Sequence, residues 1–356
     1  MSDAAVRTGR TDSGIGYAVL AAALFGASTP FAKRLLGDLP PVLLAGLLYL
    51  GSGIGLTVMR WIRGARSQEA PLTQTDYPWL AGAVVFGGVL GPMLLMIGLR
   101  ATPGSTASLL LNLEGVFTAL LAWFVFRENF DRRIALGMVL ILAGGALLSW
   151  QTGGGFSLPV GALAVIGACL CWGIDNNLTQ KVSAGDPLQV AAIKGACAGV
   201  VNLGIALALG ARVPFSPALP FALVVGFLGY GLSLVLFVLA LRHIGSARTG
   251  AYFSLAPYVG AAVALLVLRE PVGLRFLAAA GLMGWGVWLH LTEKHEHQHT
   301  HERMLHSHRH YHDEHHQHAH TGDEEPGEPH THPHVHEPLT HSHPHYPDIH
   351  HRHRHV

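Results

Sequence analysis

Three charged residues stand inside apolar stretches of this sequence, where their side chains could do chemistry. Glu114 interrupts "LLLNLEGVFTALL", Asp175 follows "CLCWGI", and Lys194 follows "QVAAI". A carboxyl group held among apolar side chains suits proton coupling or a hydrogen bond to a substrate. The alternative for Glu114 is a structural carboxyl bonded to a neighbouring helix. An ionised carboxylate at the centre of a bilayer costs roughly 2.5 to 3.5 kcal/mol on insertion scales, so Glu114 should face protein and not lipid.

Asp175 and Lys194 carry opposite charges and lie at corresponding depths of two consecutive apolar runs. The simplest interpretation is a buried ion pair that neutralises itself. The alternative is that Lys194 serves as a gate or binds a substrate carboxylate. Asn112 and Asn176 add hydrogen-bonding capacity. Because Asn112 and Glu114 are two residues apart, they should point to different sides of a regular helix and not line one pocket together.

The composition predicts that the solvent around these residues is a lipid bilayer. Of 356 residues, 50% are hydrophobic and 13% are charged, and the mean hydropathy is +0.36, values that exclude an ordinary water-soluble domain. Continuous apolar runs lack the alternation of a membrane barrel, which leaves helices as the spanning structure. We predict an all-α integral membrane protein with ten transmembrane helices, near 15–36, 41–60, 78–99, 103–126, 133–150, 158–179, 188–209, 218–240, 245–268 and 272–291.

The basic residues of the short loops predict the orientation. The N-terminus and every second loop hold eleven Lys and Arg, against six on the opposite side. Since positive residues favour the cytoplasm, both termini are predicted there, in a bacterial inner membrane. The N-terminus lacks the pattern of a signal peptide. The sequence also shows no nucleophile-and-base arrangement and no phosphate loop, so we predict that the protein is not an enzyme.

Internal repetition divides the chain into two copies. Residues 108–130 align without gaps on 250–272 at an offset of 142, and "LAAALFGASTPFAK" resembles "GACLCWGIDNNLTQK" at an offset of 147. The second alignment puts Phe25 on Trp172, which we interpret as pocket walls or packing residues. Five helices per copy is an odd number, so the copies enter the membrane from opposite sides, as inverted repeats of secondary transporters do. The predicted domains are an N-terminal cytoplasmic segment, two five-helix repeats and a tail, at 1–14, 15–150, 151–291 and 292–356.

These residues resemble the drug/metabolite transporter superfamily, in particular EamA-type transporters with two EamA domains. The resemblance rests on an aromatic-Gly pair followed by Lys in the first helix, and on a Leu-Glu-Pro motif before an apolar helix that ends in Glu. The first copy has Glu114 but Gly115 in place of proline, whereas the second has Pro257 but Ala256 in place of glutamate. The resemblance implies a transport fold with a central site between the halves, and Glu128 and Glu270 close both copies as in the family pattern.

The tail differs from the helical body in composition. Residues 291–356 hold 23 of the 25 histidines, with 5 Lys and Arg against 11 Asp and Glu. Such a polar segment predicts disorder. Its His-x-His pattern suits Ni(II), Co(II), Zn(II) and Cu(II), and its imidazoles could also sense pH. The predicted metal ligands are His295, His297, His299, His301, His306, His308, His310, His312, His315, His316, His318, His320, His332, His334, His336, His341, His343 and His345.

We therefore expect a secondary transporter that moves a small metabolite outward by alternating access and carries a metal-binding tail. It needs no cofactor beyond the metal ions of the tail. Its partners are the substrate, the bilayer and divalent metals, with a homodimer left open and no nucleic acid. The alternative is transport of Ni, Co or Zn, or metal regulation of another transport with the tail as collector or sensor. A third reading is a membrane sensor or scaffold. The predicted site residues are Phe25, Asn112, Glu114, Trp172, Asp175, Asn176 and Lys194.

Overall fold

The computed structural model describes the helical body and four short pieces of the tail. The described residues are 3–63, 72–126, 132–149, 159–182, 185–292, 296–300, 304–310, 330–336 and 340–344.

The first copy consists of seven α-helices and one π-helical segment, Val84–Leu90. The α-helices are α1 Asp3–Leu35, α2 Pro41–Arg63, α3 Tyr77–Ala83, α4 Gly91–Ala101, α5 Gly104–Leu110, α6 Leu113–Phe126 and α7 Arg132–Ser149. The second copy has six α-helices and the π-helical segment Phe227–Leu232. They are α8 Val160–Val182, α9 Pro187–Ala208, α10 Ala218–Gly226, α11 Ser233–Phe253, α12 Ala256–Leu268 and α13 Leu274–Leu291.

Within the described ranges, eight segments are long and apolar enough to cross a membrane. They are Ser13–Leu35, Pro41–Arg63, Tyr77–Ala101, Gly104–Leu121, Arg132–Ser149, Val160–Val182, Pro187–Ala208 and Ala218–Ala240, and Ala256–Leu268 is a shorter apolar helix. The protein is thus a multi-pass, mainly helical membrane protein. The count of ten spans stays a prediction, and α1 already begins at Asp3, inside the segment assigned to the cytoplasm.

The boundary predicted between runs 218–240 and 245–268 is wrong, because α11 continues to Phe253. Proline explains the difference between the copies. Pro103 follows Thr102, whose backbone is extended at φ −124° and ψ 141°, as the residue before a proline prefers. The offset of 142 puts Gly245 on Pro103. Glycine keeps its N–H and is tolerated in a helix interior, so the second copy does not break there.

The two copies pack on each other reciprocally. Helix α1 contacts α11 and α12 of the second copy, and α8 contacts α4 and α6 of the first. Helices α2 and α9 cross between them at small residues: a Cβ added at Gly53 would lie 2.4 Å from the amide nitrogen of Ala196, and one at Gly195 would lie 2.6 Å from that of Gly53. Glycines let the backbones approach this closely.

In the tail, four strands pair in two antiparallel ladders. Strand β1 (Glu296–Thr300) pairs with β4 (Thr340–Pro344), and β2 (Met304–His310) pairs with β3 (His330–His336). Most of the tail lies outside the described residues, so its predicted disorder stays a prediction, and the body that carries the membrane spans is helical. The period of two in His-x-His suits metal ligands and is also the period of a β-strand.

Candidate functional site

A cavity of about 400 Å³ lies at the interface of the two copies. Its walls come from α1, α2, α6, α7, α8, α9, α11, α12 and α13, together with the π-helical segment Phe227–Leu232 and the turns that precede α6 and α12. All of the site residues predicted from the sequence line it: Phe25, Asn112, Glu114, Trp172, Asp175, Asn176 and Lys194.

Glu114 lies in the first turn of α6 and is half-buried. Its Oε1 accepts a hydrogen bond from Nδ2 of Asn176 on α8 at 2.9 Å. The same amide nitrogen donates to Oγ1 of Thr118 at 3.2 Å, and the Thr118 hydroxyl donates to the Glu114 carbonyl at 2.8 Å. Thr118 lies one helical turn after Glu114, so a single amide can bond to both side chains. This small network holds the carboxyl group at the cavity wall.

Asp175 on α8 and Lys194 on α9 form a buried ion pair. Lys194 Nζ donates to both carboxylate oxygens of Asp175, at 2.6 Å to Oδ1, and the Thr179 hydroxyl donates to Oδ1 at 3.0 Å. The side chains are 5% exposed for Lys194 and 7% for Asp175. Removal of either side chain would destabilise the protein, because the other would be left as an uncompensated buried ion.

The π-helical segment Val84–Leu90 supplies backbone acceptors to the site. Gly91 donates its N–H to Phe86, and Pro92 has no N–H, so the carbonyls of Gly87 and Gly88 need other donors. Gly87 accepts from the Tyr49 hydroxyl at 2.6 Å and from Trp172 Nε1 at 3.0 Å. Gly88 accepts from Asn202 Nδ2 at 2.8 Å.

Gly87 also leaves the space in which the ion pair lies. A Cβ added at this position would be 2.0 Å from Asp175 Oδ2. Tyr49, Thr118 and Gly87 were not predicted as site residues. The signal available in the sequence was Pro92 inside an apolar run, because a proline there leaves carbonyls of the preceding turn, such as those of Gly87 and Gly88, without a helical donor.

Aromatic rings form the apolar wall. The rings of Phe25 and Trp172, which the internal alignment makes equivalent, meet edge to face with centroids 5.8 Å apart. Phe25 also lies 5.8 Å from Tyr230 and 5.5 Å from Phe253, and Tyr49 lies 5.3 Å from Tyr230. Such offset and edge-to-face pairs fix the rings in place.

Asn112 and Glu114 both line the cavity, so the expectation that they point to different sides is wrong. The geometry of a regular helix does not apply here because the chain breaks between α5, which ends at Leu110, and α6, which begins at Leu113. Asn112 Nδ2 bonds to the Leu109 carbonyl at 3.0 Å.

Three residues that line the cavity stand at helix ends: Gln180 near the end of α8, Ile134 near the start of α7 and His290 near the end of α13. The predicted topology puts all three at the cytoplasmic end of the bundle. At the other end, Glu270 accepts from the amides of Gly104 and Ser105 at 2.6 and 2.8 Å. Nearby, Lys33 Nζ donates to the carbonyls of Leu99 and, at 2.9 Å, of Thr102. These contacts hold the turn between α4 and α5 in place. Glu128, the counterpart of Glu270 in the first copy, lies outside the described residues.

Metal ligands were predicted only in the tail. Among the residues whose side chains the structure describes, no group of three or more His, Cys, Asp or Glu could hold a metal ion. Ten of the predicted ligands lie in β1 to β4. The others lie outside the described residues: His295, His301, His312, His315, His316, His318, His320 and His345.

Comparison with known proteins identifies the family. Residues 12–150 and 159–292 each match the EamA-like transporter family. An uncharacterized transporter of Methanothermobacter thermautotrophicus is 32% identical over 271 residues, which cover 71% of this chain and 78% of the relative. A probable 4-amino-4-deoxy-L-arabinose-phosphoundecaprenol flippase subunit, ArnE, of Pseudomonas paraeruginosa is 41% identical over 113 residues, or 31% of this chain and 96% of the relative.

The solved structures add a likeness in fold. One crystal structure matches with a TM-score of 0.59 at 18% identity, covering 79% of this chain and 96% of the other. The relatives are transporters, which confirms the prediction of a transporter and not an enzyme. With two family matches that together span the helical body, the chain belongs to the EamA-like transporter family of the drug/metabolite transporter superfamily.

Proposed function

We propose that the protein exports a small metabolite across the bacterial cell membrane by alternating access, with both termini in the cytoplasm. The observation that carries this proposal is the cavity between the copies, with Glu114 and Asn176 at its wall. Transporter sites lie near the bilayer midplane at the interface of the repeats, and broken helices often form them. The break before Glu114 and the π-helical segment at Gly87 fit that pattern.

The end of the cavity at Gln180, Ile134 and His290 is the predicted cytoplasmic end. A substrate entering there from the cytoplasm would leave after the Lys33 and Glu270 contacts at the opposite end open. Glu114 acts as the coupling or substrate-binding carboxyl, and the Asp175–Lys194 pair holds α8 against α9. The ArnE relatives are named as probable flippase subunits for a lipid-linked amino sugar, and that comparison covers 31% of this chain.

The test obstructs the cavity without disturbing the fold. Gly115 lines the cavity, and a Cβ there would meet nothing within 4 Å. We expect Gly115→Trp to abolish export while the protein remains folded. The measurement compares the metabolites released by cells that express the wild-type chain or the variant. Gly281→Trp, on the exposed side of α13 where a Cβ also meets nothing within 4 Å, is the matched control. Equal export by wild type and Gly115→Trp would contradict the proposal.

For the tail we propose binding of divalent transition metals. The register places histidines opposite one another in both ladders: His297 opposite His343 and His299 opposite His341 in β1/β4, and His306 opposite His334, His308 opposite His332 and His310 opposite His330 in β2/β3. Directly opposed residues of antiparallel strands have Cβ atoms about 4.5 to 5.5 Å apart, and imidazole is a ligand for Ni(II), Co(II), Zn(II) and Cu(II). Two neighbouring pairs in either ladder can supply four nitrogens.

Calorimetric titration of the full chain with Ni(II) and Zn(II) tests this proposal. Truncation after His290 should abolish binding, and replacing the six paired histidines of the β2/β3 ladder by Ser should remove the share due to that ladder: His306, His308, His310, His330, His332 and His334. Metal binding that survives the truncation would place a metal site inside the helical body and contradict the assignment to the tail. Export through the cavity should be unaffected by either change.

A further inference from the structure

The cavity has an uneven balance of charge. Four of the residues that line it are acidic, basic or histidine: Glu114, Asp175, Lys194 and His290. Lys194 is committed to Asp175, which it contacts through both carboxylate oxygens. His290 Nε2 lies 3.1 Å from the Ile134 carbonyl at the end of the cavity. Among the described residues, Glu114 is therefore the acidic side chain of the cavity that has no basic partner within ion-pair distance.

The partner that Glu114 does have is neutral. The Asn176 amide donates one hydrogen bond at 2.9 Å and adds no positive charge. A carboxylate at a protein cavity wall, half-removed from water, gains from a ligand that brings both a proton donor and a positive charge, because charge-assisted hydrogen bonds are about twice as strong as neutral ones. An anionic ligand would instead be repelled by this side chain.

Lys194 does not make the cavity favourable for an anionic ligand, because its ammonium group is already paired with Asp175. To bind a substrate carboxylate it would have to leave Asp175, whose two carboxylate oxygens are also held by Gly87 and Thr179. Gly87 backs the carboxylate so closely that a Cβ there would lie 2.0 Å from Oδ2. The Thr179 hydroxyl holds Oδ1 at 3.0 Å. Opening the pair would leave two buried ions uncompensated.

The aromatic wall favours the same kind of ligand. Phe25, Trp172, Tyr230 and Phe253 line the cavity and contact one another through Phe25, with ring centroids 5.5 to 5.8 Å apart. Ring faces attract cations that approach to within about 6 Å of the centroid, and they bury apolar groups as well. The cavity thus combines one carboxyl group with an extended apolar surface.

From this arrangement we infer that the transported substrate is a small organic amine: one ammonium group that pairs with Glu114, attached to an apolar or aromatic body that lies against the Phe25 ring cluster. The volume of about 400 Å³ is at the lower end of the range for ligand sites. The inference rests on the proposed function, because it assigns the substrate class of the same cavity.

The experiment uses three probes of similar shape and different charge: 2-phenylethylamine, 2-phenylethanol and 3-phenylpropionate. Each is titrated into the purified full-length chain in detergent, and binding is followed by calorimetry and by thermal stabilisation. We expect the amine to bind at least about tenfold more tightly than the alcohol or the acid, as a hydrogen bond to a charged group implies. Failure of the amine to bind, or equal or tighter binding of the other two, overturns the inference.

Variants assign the preference to one carboxyl group. Glu114→Gln should reduce amine affinity at least about tenfold and leave alcohol binding unchanged, whereas Glu114→Asp should keep the preference for the amine. Asp38→Asn removes an equivalent charge from an exposed position outside the cavity and serves as the matched control. Retention of the amine preference by a folded Glu114→Gln protein overturns the inference.

Different experimental results would contradict the inference and the proposed function. Transport is measured separately, as uptake of labelled amine into proteoliposomes. Amine binding through Glu114 without amine transport would contradict the proposed function and leave the binding assignment standing. Export of another compound that Gly115→Trp blocks, together with no preference for the amine, would support the proposed function and overturn the inference.

Discussion

The two copies share a backbone arrangement but differ in the polar groups that occupy it. The offset of 142 puts Gly87 on Gly229, and that of 147 puts Asp175 on Ser28. Gly87 packs on Asp175, and Gly229 packs on Ser28, where an added Cβ would lie 2.4 Å from the Ser28 Cβ. The same close contact therefore carries a charge in one half and a hydroxyl in the other. The two copies therefore keep the same packing at this contact, whereas only one of the two contacts carries a charged side chain.

The copies also differ in where two helices cross. The glycine of α1 meets the start of α12, whereas the equivalent glycine of α8 meets α6 further from its start. Gly26 of α1 contacts Ala256, since its Cβ would lie 2.2 Å from the Ala256 carbonyl oxygen. The counterpart Gly173 of α8 instead contacts Phe117, three residues beyond Glu114, which is the position that aligns with Ala256. The difference is about one helical turn. It packs the backbone of Ala256 directly against α1 and leaves Glu114, which also lines the cavity, half-buried.

The ion pair provides the strongest test of the asymmetry in charge. We expect Lys194→Met to lower the free energy of unfolding by about 3 to 5 kcal/mol, because Asp175 keeps the Thr179 hydroxyl but loses its ammonium partner. The double variant Asp175→Leu/Lys194→Met should recover most of that loss, since both buried ions are gone and Ser28 shows that this contact can be uncharged. Thermal and denaturant unfolding in detergent measure both. A double variant as unstable as Lys194→Met would show that the two side chains are not energetically coupled.

The one-turn displacement makes the two helix contacts unequal. Gly26→Ala should cost about 1 to 3 kcal/mol, because its methyl group would meet a backbone carbonyl that cannot rotate away. Gly173→Ala should cost less, because its Cβ would lie 2.9 Å from the Phe117 Cβ and 3.1 Å from backbone atoms. Thermal unfolding of the two variants side by side gives the comparison. A larger effect at Gly173 would mean that the copies are not displaced as described.

Much of the site follows from the sequence. Glu114, Asp175 and Lys194 stand out because ions are costly in an apolar run, and the equal depths of Asp175 and Lys194 predict their proximity. The internal alignment likewise brings Phe25 to Trp172. These inferences need only the positions of residues along spans and the symmetry between copies.

Other features depend on backbone detail that periodicity does not contain. The break at Leu110 turns Asn112 toward the cavity, and the lack of a proline at Gly245 keeps α11 continuous. Tyr49 belongs to the site only because Pro92 deprives Gly87 of a helical donor. In the tail, the alternating pattern that suits metal ligands also pairs as strands at Met304–His310 and His330–His336, which composition does not predict. These features depend on local breaks in helices or on pairing between distant strands, and the periodicity of the sequence predicts neither.

The smallest expected effect concerns the Leu-Glu-Pro motif, of which the first copy has the glutamate and the second copy has the proline. Pro257 lies in the first turn of α12, whereas the aligned Gly115 lies in the first turn of α6. We expect Gly115→Pro to change the free energy of unfolding by no more than about 0.4 to 1 kcal/mol, in the stabilising direction, because proline is tolerated in the first turn and restricts the unfolded chain. Thermal unfolding in detergent measures the change, with Gly115→Ala as a control that keeps the N–H. Marked destabilisation by Pro but not by Ala would show that the Gly115 N–H holds the break before α6 together, and hence that the first copy needs its glycine to keep Glu114 and Asn112 at the cavity wall.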